Sequence, residues 1–337
     1  MQQKLDFKQN KKTGSFRFID LFAGIGGIRM AFERAGGCCV YSSEIDEGCR
    51  KTYEINFDEL PDGDITKVDY NTIPDFDVLC AGFPCQPFSI SGKMRGFEDT
   101  RGTLLFNILE IIELKKPRVV FLENVKHLKH HDKGNTLKLI IKSLEDKGYK
   151  VSWRVLNALN FGLAQNRERI IIIASKETNF DFDKVETQKR KLIKDILDNG
   201  GDYEVLSEKE YTILPKNLWK EQESGLIFCG YRNRTVRKAG VRPNTEHLSR
   251  VHKQPNRIYH IGGTHPTLPS QESAGRFWIY DDKIVRKLTM NECFKLMGFP
   301  DSFKRVSKNG QLYMQLGNSV CLPMIESLAT AIKKQLL

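Results

Sequence analysis

The sequence lacks the features that mark secreted, zinc-dependent and membrane-spanning proteins. Its 8 cysteines include no C-x-x-C pair, so neither a zinc cluster nor a disulfide framework is predicted. No secretory signal is present, and no apolar run is long enough to cross a bilayer. We therefore expect a reduced, cytoplasmic protein without a metal site and without a membrane partner.

Acidic residues are also fewer than basic residues. The chain has 42 Asp and Glu against 53 Lys and Arg, a formal net charge of +11. Between Tyr231 and Tyr259, Glu246 is the only acid, whereas eight arginines and lysines fall in the same stretch. This imbalance favours a polyanionic partner and a surface that faces phosphates. A solvated loop face is the alternative, because runs of charge are usually that.

The pattern of apolar segments predicts an α/β fold. In a chain of 337 residues with 40% hydrophobic content, a sizeable core is expected. Apolar runs and helical periodicity alternate up to about Glu177, which is typical of a Rossmann-like, doubly wound parallel sheet. Beyond that point the sequence becomes basic, irregular and rich in proline and glycine. Residues Met1 to Gly14 are polar, and we expect a loose arm there.

A cysteine flanked by two prolines follows one of these predicted strands. Val78 to Ala81 is a short apolar run that Gly82 ends, and Pro84-Cys85-Gln86-Pro87 comes next. Proline neither continues a ladder nor sits inside a helix, so Cys85 is expected just outside the carboxyl end of the strand. A thiol there is a candidate nucleophile, although attack needs the thiolate and a free cysteine has a pKa of about 8.5. A small buried hydrophobe is the ordinary alternative.

Other predicted strands also end in residues suited to ligand binding. Asp20-Leu21-Phe22-Ala23-Gly24-Ile25-Gly26-Gly27 is a glycine-rich turn that lets the backbone approach a ligand closely. The turn does not match G-x-G-x-x-G well, and an ordinary βα turn remains possible. Glu44 ends the next strand, where an acid binds ribose hydroxyls or is merely solvated. Glu123 ends a buried strand, where a carboxylate is costly unless it has a function.

These motifs, in this order, resemble the cytosine-5 DNA methyltransferases of bacterial restriction–modification systems, and the short members in particular. The resemblance covers nearly all of residues 16–175 and 286–325, whereas residues 187–285 match only locally. It rests on Asp20-Leu21-Phe22-Ala23-Gly24, Pro84-Cys85-Gln86, Glu123-Asn124-Val125, Gln165-Asn166-Arg167-Glu168-Arg169, Arg286-Lys287-Leu288-Thr289 and Gly317-Asn318-Ser319-Val320. It implies a catalytic and cofactor-binding domain at 1–186, a target-recognition domain at 187–285, and a C-terminal segment, 286–337, that returns to the catalytic domain.

The resemblance further implies an S-adenosylmethionine site. Glu44 would hold the ribose, and Ile45 would pack on adenine where the family usually has an aromatic residue. The other residues of the implied pocket are Phe22, Gly24, Ile25, Gly26, Asp64, Ile65, Pro84, Leu104, Asn318 and Ser319. A second departure is Leu163-Ala164, which stands where a proline commonly precedes the glutamine of the Gln165 motif.

For catalysis, the resemblance implies attack by the Cys85 thiolate at cytosine C6. Glu123 would bind the N3 and N4 edge of the base, Arg167 would lie near O2 and the thiolate, and Arg169 would support the site. The cytosine must leave the duplex, since these atoms are unreachable inside it.

The DNA-facing residues follow from the same resemblance. Gln254 would fill the vacated stack, Arg257 would read guanine, and Thr267 would brace the target backbone. Ser91 would lie on a lid. For these four residues, packing within loops is the alternative. Arg237 and Lys238 belong to the basic stretch, and from that stretch they are expected to contact phosphates.

The expected partners are double-stranded DNA and a cognate restriction endonuclease, with the protein acting as a monomer on DNA. Three other functions remain open from the sequence. A tRNA cytosine-5 methyltransferase can carry the same motifs, although the recognition region here is longer and more basic than expected for one. A catalytically inactive DNA-binding regulator conflicts with the intact Cys85, Glu123 and Arg167. A nucleotide-dependent oxidoreductase is the third.

Overall fold

The computed structural model describes residues 14–83, 104–233, 244–270 and 277–337. Within these residues the chain forms two compact units. The first unit takes residues up to 156, then 168–186 and 325–337, and the second takes 157–167 and 187–324. The expected domain boundaries differ from this division, because residues 157–167 and 286–324 both belong to the second unit. Hydrogen bonds from Gln165 and Arg167 to this later segment explain the difference.

The strands and helices of the described residues are numbered in chain order. The strands are β1 Phe16–Leu21, β2 Gly37–Ser43, β3 Val78–Gly82, β4 Val119–Val125, β5 Lys150–Asn157, β6 Gln165–Asn166, β7 Glu168–Ser175, β8 Tyr211–Ile213, β9 Lys220–Glu221, β10 Ile227–Arg232, β11 Arg257–His260, β12 His265–Pro266, β13 Trp278–Tyr280 and β14 Val285–Lys287. The helices are α1 Gly27–Arg34, α2 Glu47–Phe57, α3 Leu104–Lys115, α4 Asn135–Glu145, α5 Met290–Met297, α6 Asn309–Asn318 and α7 Leu322–Leu336.

The first unit is built on a six-stranded sheet in the order β2-β1-β3-β4-β7-β5. Strands β2, β1, β3 and β4 run parallel to one another, whereas β7 runs antiparallel to β4. Nearly every residue of β1, β3 and β4 is buried, as expected of parallel strands covered on both faces. Strand β2 lies on one side of β1 and β3 lies on the other, so the chain crosses over β1 between them. Ligands of such sheets bind at the carboxyl ends of the strands at this crossover point. The predicted α/β fold is confirmed.

The helices of the first unit present apolar stripes to this sheet. In α4 the buried side chains include Leu137, Ile140 and Leu144, at the spacing of one helical face. They join a core with Leu79, Val120 and other strand residues, and each fully buried side chain of this size contributes about 1.5–3 kcal/mol. Sequence inspection did not predict α4.

The second unit contains a sheet that the sequence did not predict. Its order is β14-β13-β11-β10-β8, with β9 also paired to β10. Trp278 is 1% exposed and packs with Cys229, Ile258 and Val285 in one core cluster. A separate pair joins β6 to β12 in parallel. The strands of this unit are two to six residues long, too short to show a clear alternation in the sequence.

A short extended segment separates the last two helices. Leu316 to Asn318 end α6, and Ser319 is extended with φ −78° and ψ 174°. Helix α7 then starts at Leu322 and has Pro323 in its first turn, where a missing backbone N–H costs little. Among the described residues, no helix is both long and apolar enough to span a membrane.

Candidate active site

The glycine turn after β1 is hydrogen-bonded to the end of β2. The backbone N of Gly24 donates to Glu44 Oε2 at 2.7 Å, and Asp46 N donates to Glu44 Oε1 at 2.8 Å. Ala23 N also donates to the carbonyl of Ser43 at 3.0 Å. Two backbone amides therefore fix the Glu44 carboxylate, whose remaining lone pairs can accept hydroxyl groups.

Two glycines in this turn adopt left-handed backbone conformations. Gly26 has φ +84°, and a Cβ there would collide with the Phe57 ring. Gly24 has φ +55°, and nothing lies within 4 Å of where its Cβ would be. Gly26 is thus required by packing, whereas Gly24 keeps open space beside the Glu44 carboxylate.

A second acidic loop joins the same edge of the sheet. Glu44 N donates to Asp62 O at 2.8 Å, and Asp62 N donates to Ser42 O at 2.9 Å. Two residues on, Asp64 caps a short 3₁₀ helix by accepting from Thr66 N and Oγ1 at 3.0 and 2.8 Å. These hydrogen bonds from Thr66 lower the pKa of Asp64. The loop therefore presents a second carboxylate that is ionised at neutral pH.

The residues of this edge fit an adenosine group in part. Ile45 follows Glu44 and is 71% exposed, which is costly for an isoleucine and leaves an apolar surface beside the Glu44 carboxylate. The side chain of Ile65 is only 3% exposed and belongs to the core, so only its backbone remains for a ligand. Phe22 and Leu104 are partly buried against the same core.

The remaining residues of the predicted cofactor pocket lie elsewhere in the chain. Ile25 is fully buried. Asn318 and Ser319 belong to the second unit, where Asn318 is exposed and Ser319 partly so. Pro84 lies outside the described residues.

The ends of β3 and β4 lie side by side. Gly82 is opposite Glu123 in the parallel register, and Asn124 Nδ2 donates to the carbonyl of Phe83 at 2.9 Å. Phe83 is the residue immediately before Pro84-Cys85. Although Cys85 itself lies outside the described residues, Asn124 therefore fixes the start of its loop next to Glu123.

Glu123 is paired with Arg169. Strand β7 runs beside β4 and places Arg169 opposite Val125, and Arg169 Nε donates to Glu123 Oε1 at 2.9 Å. Both side chains are 11% exposed. The structure thus puts a carboxylate and a guanidinium together near the end of the strand from which the Cys85 loop starts.

The Arg167 side chain is buried and hydrogen-bonded to the main chain. Its guanidinium donates to the carbonyls of Leu268, Gly317 and Ser319 at 3.0, 2.8 and 2.7 Å, and the residue is 1% exposed. Three main-chain acceptors hold it inside the second unit. The guanidinium that pairs with Glu123 at 2.9 Å is that of Arg169.

Gln165 and Thr267 connect the same parts of the second unit. Gln165 Oε1 accepts from Leu268 N at 2.9 Å, and its Nε2 donates to Leu296 O at 3.2 Å. Thr267 Oγ1 donates to Asn166 O at 2.6 Å. The motif from Gln165 to Arg167 therefore holds the Thr267-Leu268 segment and the end of α6 in place.

The predicted DNA-reading residues lie in contrasting environments. Gln254 is exposed on a 3₁₀ turn, Gln254–Asn256. Arg257 is partly buried, and its Nε donates to the carbonyl of His252 at 3.1 Å. His252 stacks on Tyr231, with ring centroids 4.3 Å apart, so it is a packing residue and not part of a phosphate-facing surface. Ser91, Arg237 and Lys238 lie outside the described residues.

Sequence inspection missed the buried network around Asp20 and Arg29. Asp20 is fully buried at the end of β1, and burial raises its pKa to about 8. Arg29 is 3% exposed, with Glu33 at 2.8 Å, Glu59 at 3.1 Å and the Tyr53 hydroxyl at 3.0 Å. Asp20 belongs to a quoted motif, but the sequence contains no sign that Arg29 is buried.

A family profile for C-5 cytosine-specific DNA methylases matches residues 16–334. The chain belongs to this family. The type II methyltransferase M.HhaI of Haemophilus parahaemolyticus is 41% identical, with 98% of each chain covered. The type II methyltransferase M.MspI of Moraxella sp is also 41% identical, covering 97% of this chain and 73% of the relative. The family assignment predicted from the motifs is confirmed.

Solved structures of related methyltransferases have the same fold. The crystal structure of S. pombe Dnmt2 methyltransferase superposes with a TM-score of 0.66 at 19% identity, covering 95% of this chain and 98% of that one. As a family member, the chain is a DNA cytosine-C5 methyltransferase acting on DNA. Glu123 and Arg169, at the strand edge that leads to Cys85, form the candidate active site of this methyltransferase.

Proposed function

We propose that this chain transfers a methyl group from S-adenosylmethionine to C5 of a cytosine flipped out of a specific duplex site. The observation that carries the proposal is the Glu123–Arg169 pair at 2.9 Å. The pair lies beside Phe83, the last residue before the Pro84-Cys85 loop, whose carbonyl accepts a hydrogen bond from Asn124. A nucleophile, a carboxyl group and a guanidinium at one sheet edge suit addition to a polar ring.

The cofactor is S-adenosylmethionine, which supplies an electrophilic methyl group when bound. Glu44 would accept the ribose hydroxyls, since two backbone amides already orient its carboxylate. Ile45 would cover adenine by aliphatic packing, and Asp64 would accept from the adenine amino group. Phe22, Gly24, Pro84, Leu104, Asn318 and Ser319 would complete the pocket, with the Ile65 backbone.

Cytosine C5 is too weak a nucleophile to accept a methyl group unaided. Addition of the Cys85 thiolate to C6 would form a C–S bond and move electron density to C5. C5 would then take the methyl group while the bond between that methyl and the sulfonium sulfur breaks, which leaves a neutral thioether. The C5 proton would pass to solvent water, the C–H electron pair would re-form the C5–C6 double bond, and the bond from C6 to sulfur would break to release the thiolate. Cysteine is regenerated, so the step balances without an oxidant or a metal.

Glu123 would bind the N3 and N4 edge of the flipped cytosine and stabilise the charge that develops in the ring. We assign the contact with cytosine O2 to Arg169, because its guanidinium is already beside Glu123. Arg167 then takes the supporting role, since three carbonyls of the second unit hold its guanidinium. This exchanges the two roles expected from the sequence.

Recognition of the site is assigned to the second unit. Gln254 would fill the space that the base leaves, Arg257 would read guanine, and Thr267 would brace the backbone of the target strand, while Arg237, Lys238 and Ser91 would contact the DNA around it. Relatives carry the name type II methyltransferase. We therefore infer that methylation protects host DNA from a partner restriction endonuclease, and that the enzyme acts on DNA as a monomer.

Bisulfite sequencing of DNA from a host that expresses the chain tests this function. We expect one short sequence to be methylated at a fixed cytosine, and no methylation in a host that expresses Cys85→Ser. Purified enzyme should also transfer labelled methyl groups to duplex DNA and not to tRNA. Labelling of tRNA with no labelling of duplex DNA would overturn the proposal.

A further inference from the structure

The segment directly after the catalytic acid is unusually basic, and the mechanism leaves it without a role. Residues 126–133 hold three lysines and three histidines, with Asp132 as the one acid among them. They form a short 3₁₀ helix, Lys126–Lys129, followed by a kinked turn, His131–Gly134, and we call residues 126–134 the β4 turn. Because β4 carries Glu123 at its carboxyl end, this turn begins at the edge of the sheet that holds the active site.

The β4 turn is held in one shape. Leu128 is fully buried in the core of the first unit, and His131 Nδ1 lies 2.6 Å from Thr136 Oγ1. Asp132 and Lys133 both adopt left-handed backbone angles, with φ 47° and 53°. Such angles persist only where the surrounding structure fixes them. The charged side chains are therefore presented on a fixed support.

The charges of the turn are not all neutralised within the protein. Lys126 Nζ donates to both carboxylate oxygens of Glu168 at 2.9 Å. Lys129 Nζ lies 5.8 Å from the centre of the Trp153 ring, an aromatic contact that leaves its charge in place. For Lys129 and Lys133, no ion pair is found within the described ranges 14–83, 104–233, 244–270 and 277–337, and both side chains are exposed.

We infer that the β4 turn is a second DNA-binding surface, on the catalytic unit, that contacts phosphates next to the flipped cytosine. A duplex whose cytosine reaches Glu123 must place neighbouring phosphates near residues a few positions further along the chain. Lys129 and Lys133 supply the charge, and the exposed rings of His127 and His130 supply N–H donors. The contact is independent of sequence and depends on salt. This inference rests on the proposed function.

The test compares two double variants of the full-length enzyme with the same change of charge. Lys129→Gln with Lys133→Gln removes the two charges of the turn. Lys142→Gln with Lys184→Gln removes two exposed lysines that lie further along α4 and after β7. Affinity for a fluorescent duplex of mixed sequence is measured over a series of salt concentrations, and methyl transfer is measured in parallel.

We expect the turn variant to bind about tenfold more weakly at low salt. The slope of log affinity against log salt should fall by about 1.8, twice the 0.9 expected for each phosphate contact. The control variant should keep the wild-type slope, and Asp132→Asn should bind more tightly than the wild type. An unchanged slope in the turn variant, or an equal fall in both double variants, overturns the inference.

Failure of the inference and failure of the proposed function give different results. If the wild type methylates DNA while the turn variant keeps its slope, only the DNA-binding role of the turn is wrong. If the wild type binds duplex without methylating it, the function is wrong, and the slopes still decide the role of the turn. If the wild type binds no duplex, both are wrong.

Discussion

At the scale of single residues, the two arginines of the Gln165 motif have opposite environments although they are two positions apart. Arg169 is the second residue of β7 and meets Glu123, whereas Arg167 precedes the strand and donates to three carbonyls. The sequence shows both arginines, but it does not show which residues they bind, because those partners lie 46 to 152 residues away along the chain. For this reason the sequence predicted the pair of residues and could not assign the role of each.

Substitution of the two arginines should separate catalysis from stability. Arg169→Gln removes the charge beside Glu123, so turnover should fall about 10²–10³-fold, the effect of losing one preorganised donor, even at temperatures where the variant is fully folded. Arg167→Gln leaves buried carbonyls unsatisfied at about 1–3 kcal/mol each, so it should lower the free energy of unfolding. Turnover numbers and thermal unfolding of both variants show whether Arg169 serves catalysis and Arg167 serves stability. Loss of turnover with Arg167→Gln in a protein of normal stability would contradict the assignment.

The Arg286-Lys287-Leu288-Thr289 motif is explained by a buried ion pair. Arg286 donates to both oxygens of Glu292 at 2.8 Å, and Glu292 is fully buried. The same carboxylate accepts from Thr289 N at 2.8 Å, while Thr289 Oγ1 accepts from Glu292 N and caps α5. A motif recognised from the sequence as a family landmark therefore has a structural role.

Removing the charge of Glu292 should destabilise the protein strongly. Glu292→Gln leaves Arg286 buried without its partner, and we expect a loss of about 3–5 kcal/mol in the free energy of unfolding. Glu221→Gln is the matched control, because Glu221 pairs with Arg190 on the surface and its loss should cost at most about 1 kcal/mol. Urea unfolding of the two variants provides the comparison. Equal losses of unfolding free energy in both variants would show that the buried ion pair stabilises the protein no more than the surface pair does.

At the scale of elements, the strands of the first sheet were predictable and those of the second were not. The runs at Val78 to Ala81 and Val119 to Leu122 are apolar throughout because β3 and β4 are covered on both faces. Strand β13 has three residues and β12 has two, and their pairing depends on partners distant in sequence. Periodicity therefore predicts the scaffold of the candidate active site and gives little information on the second unit.

The turn between β1 and α1 gives a test at this scale. Gly26→Ala forces an L-residue into φ +84° and directs its Cβ at the Phe57 ring. We expect a loss of about 1–3 kcal/mol from the backbone alone, together with weaker cofactor binding, because the turn carries Gly24 and meets Glu44. Gly63→Ala is the control, since open space surrounds its Cβ position. Calorimetric binding of S-adenosylmethionine and thermal unfolding measure both effects, and wild-type values for Gly26→Ala would refute this account of the turn.

At the scale of the whole molecule, the residues proposed for catalysis and those proposed for DNA reading fall in different units. The first carries Glu44, Glu123 and Arg169, and the second carries Gln254, Arg257 and Thr267. The family profile covers both units, since it matches residues 16–334. Because the proposed base reader Arg257 lies in the second unit, we expect sequence specificity to reside there.

Arg257 tests this division. Arg257→Ala should lower the ratio of cognate to random-duplex affinity, since a bidentate contact with guanine is worth about 1–3 kcal/mol of discrimination. Arg237→Ala is the control, and it should weaken both affinities alike, as a phosphate contact does. Both ratios are measured at one fixed salt concentration. An unchanged ratio for Arg257→Ala would mean that its contact with His252 is its whole role.

The most direct test of the whole account is covalent capture of the target cytosine. A duplex with 5-fluorocytosine at the site mapped by bisulfite sequencing is incubated with enzyme and S-adenosylmethionine, then analysed on a denaturing gel. Fluorine at C5 cannot leave as the proton does, so the bond between Cys85 and C6 should persist. We expect a shifted band for the wild type and none for Cys85→Ser. Absence of the band with the wild type at a site that it methylates would contradict the mechanism.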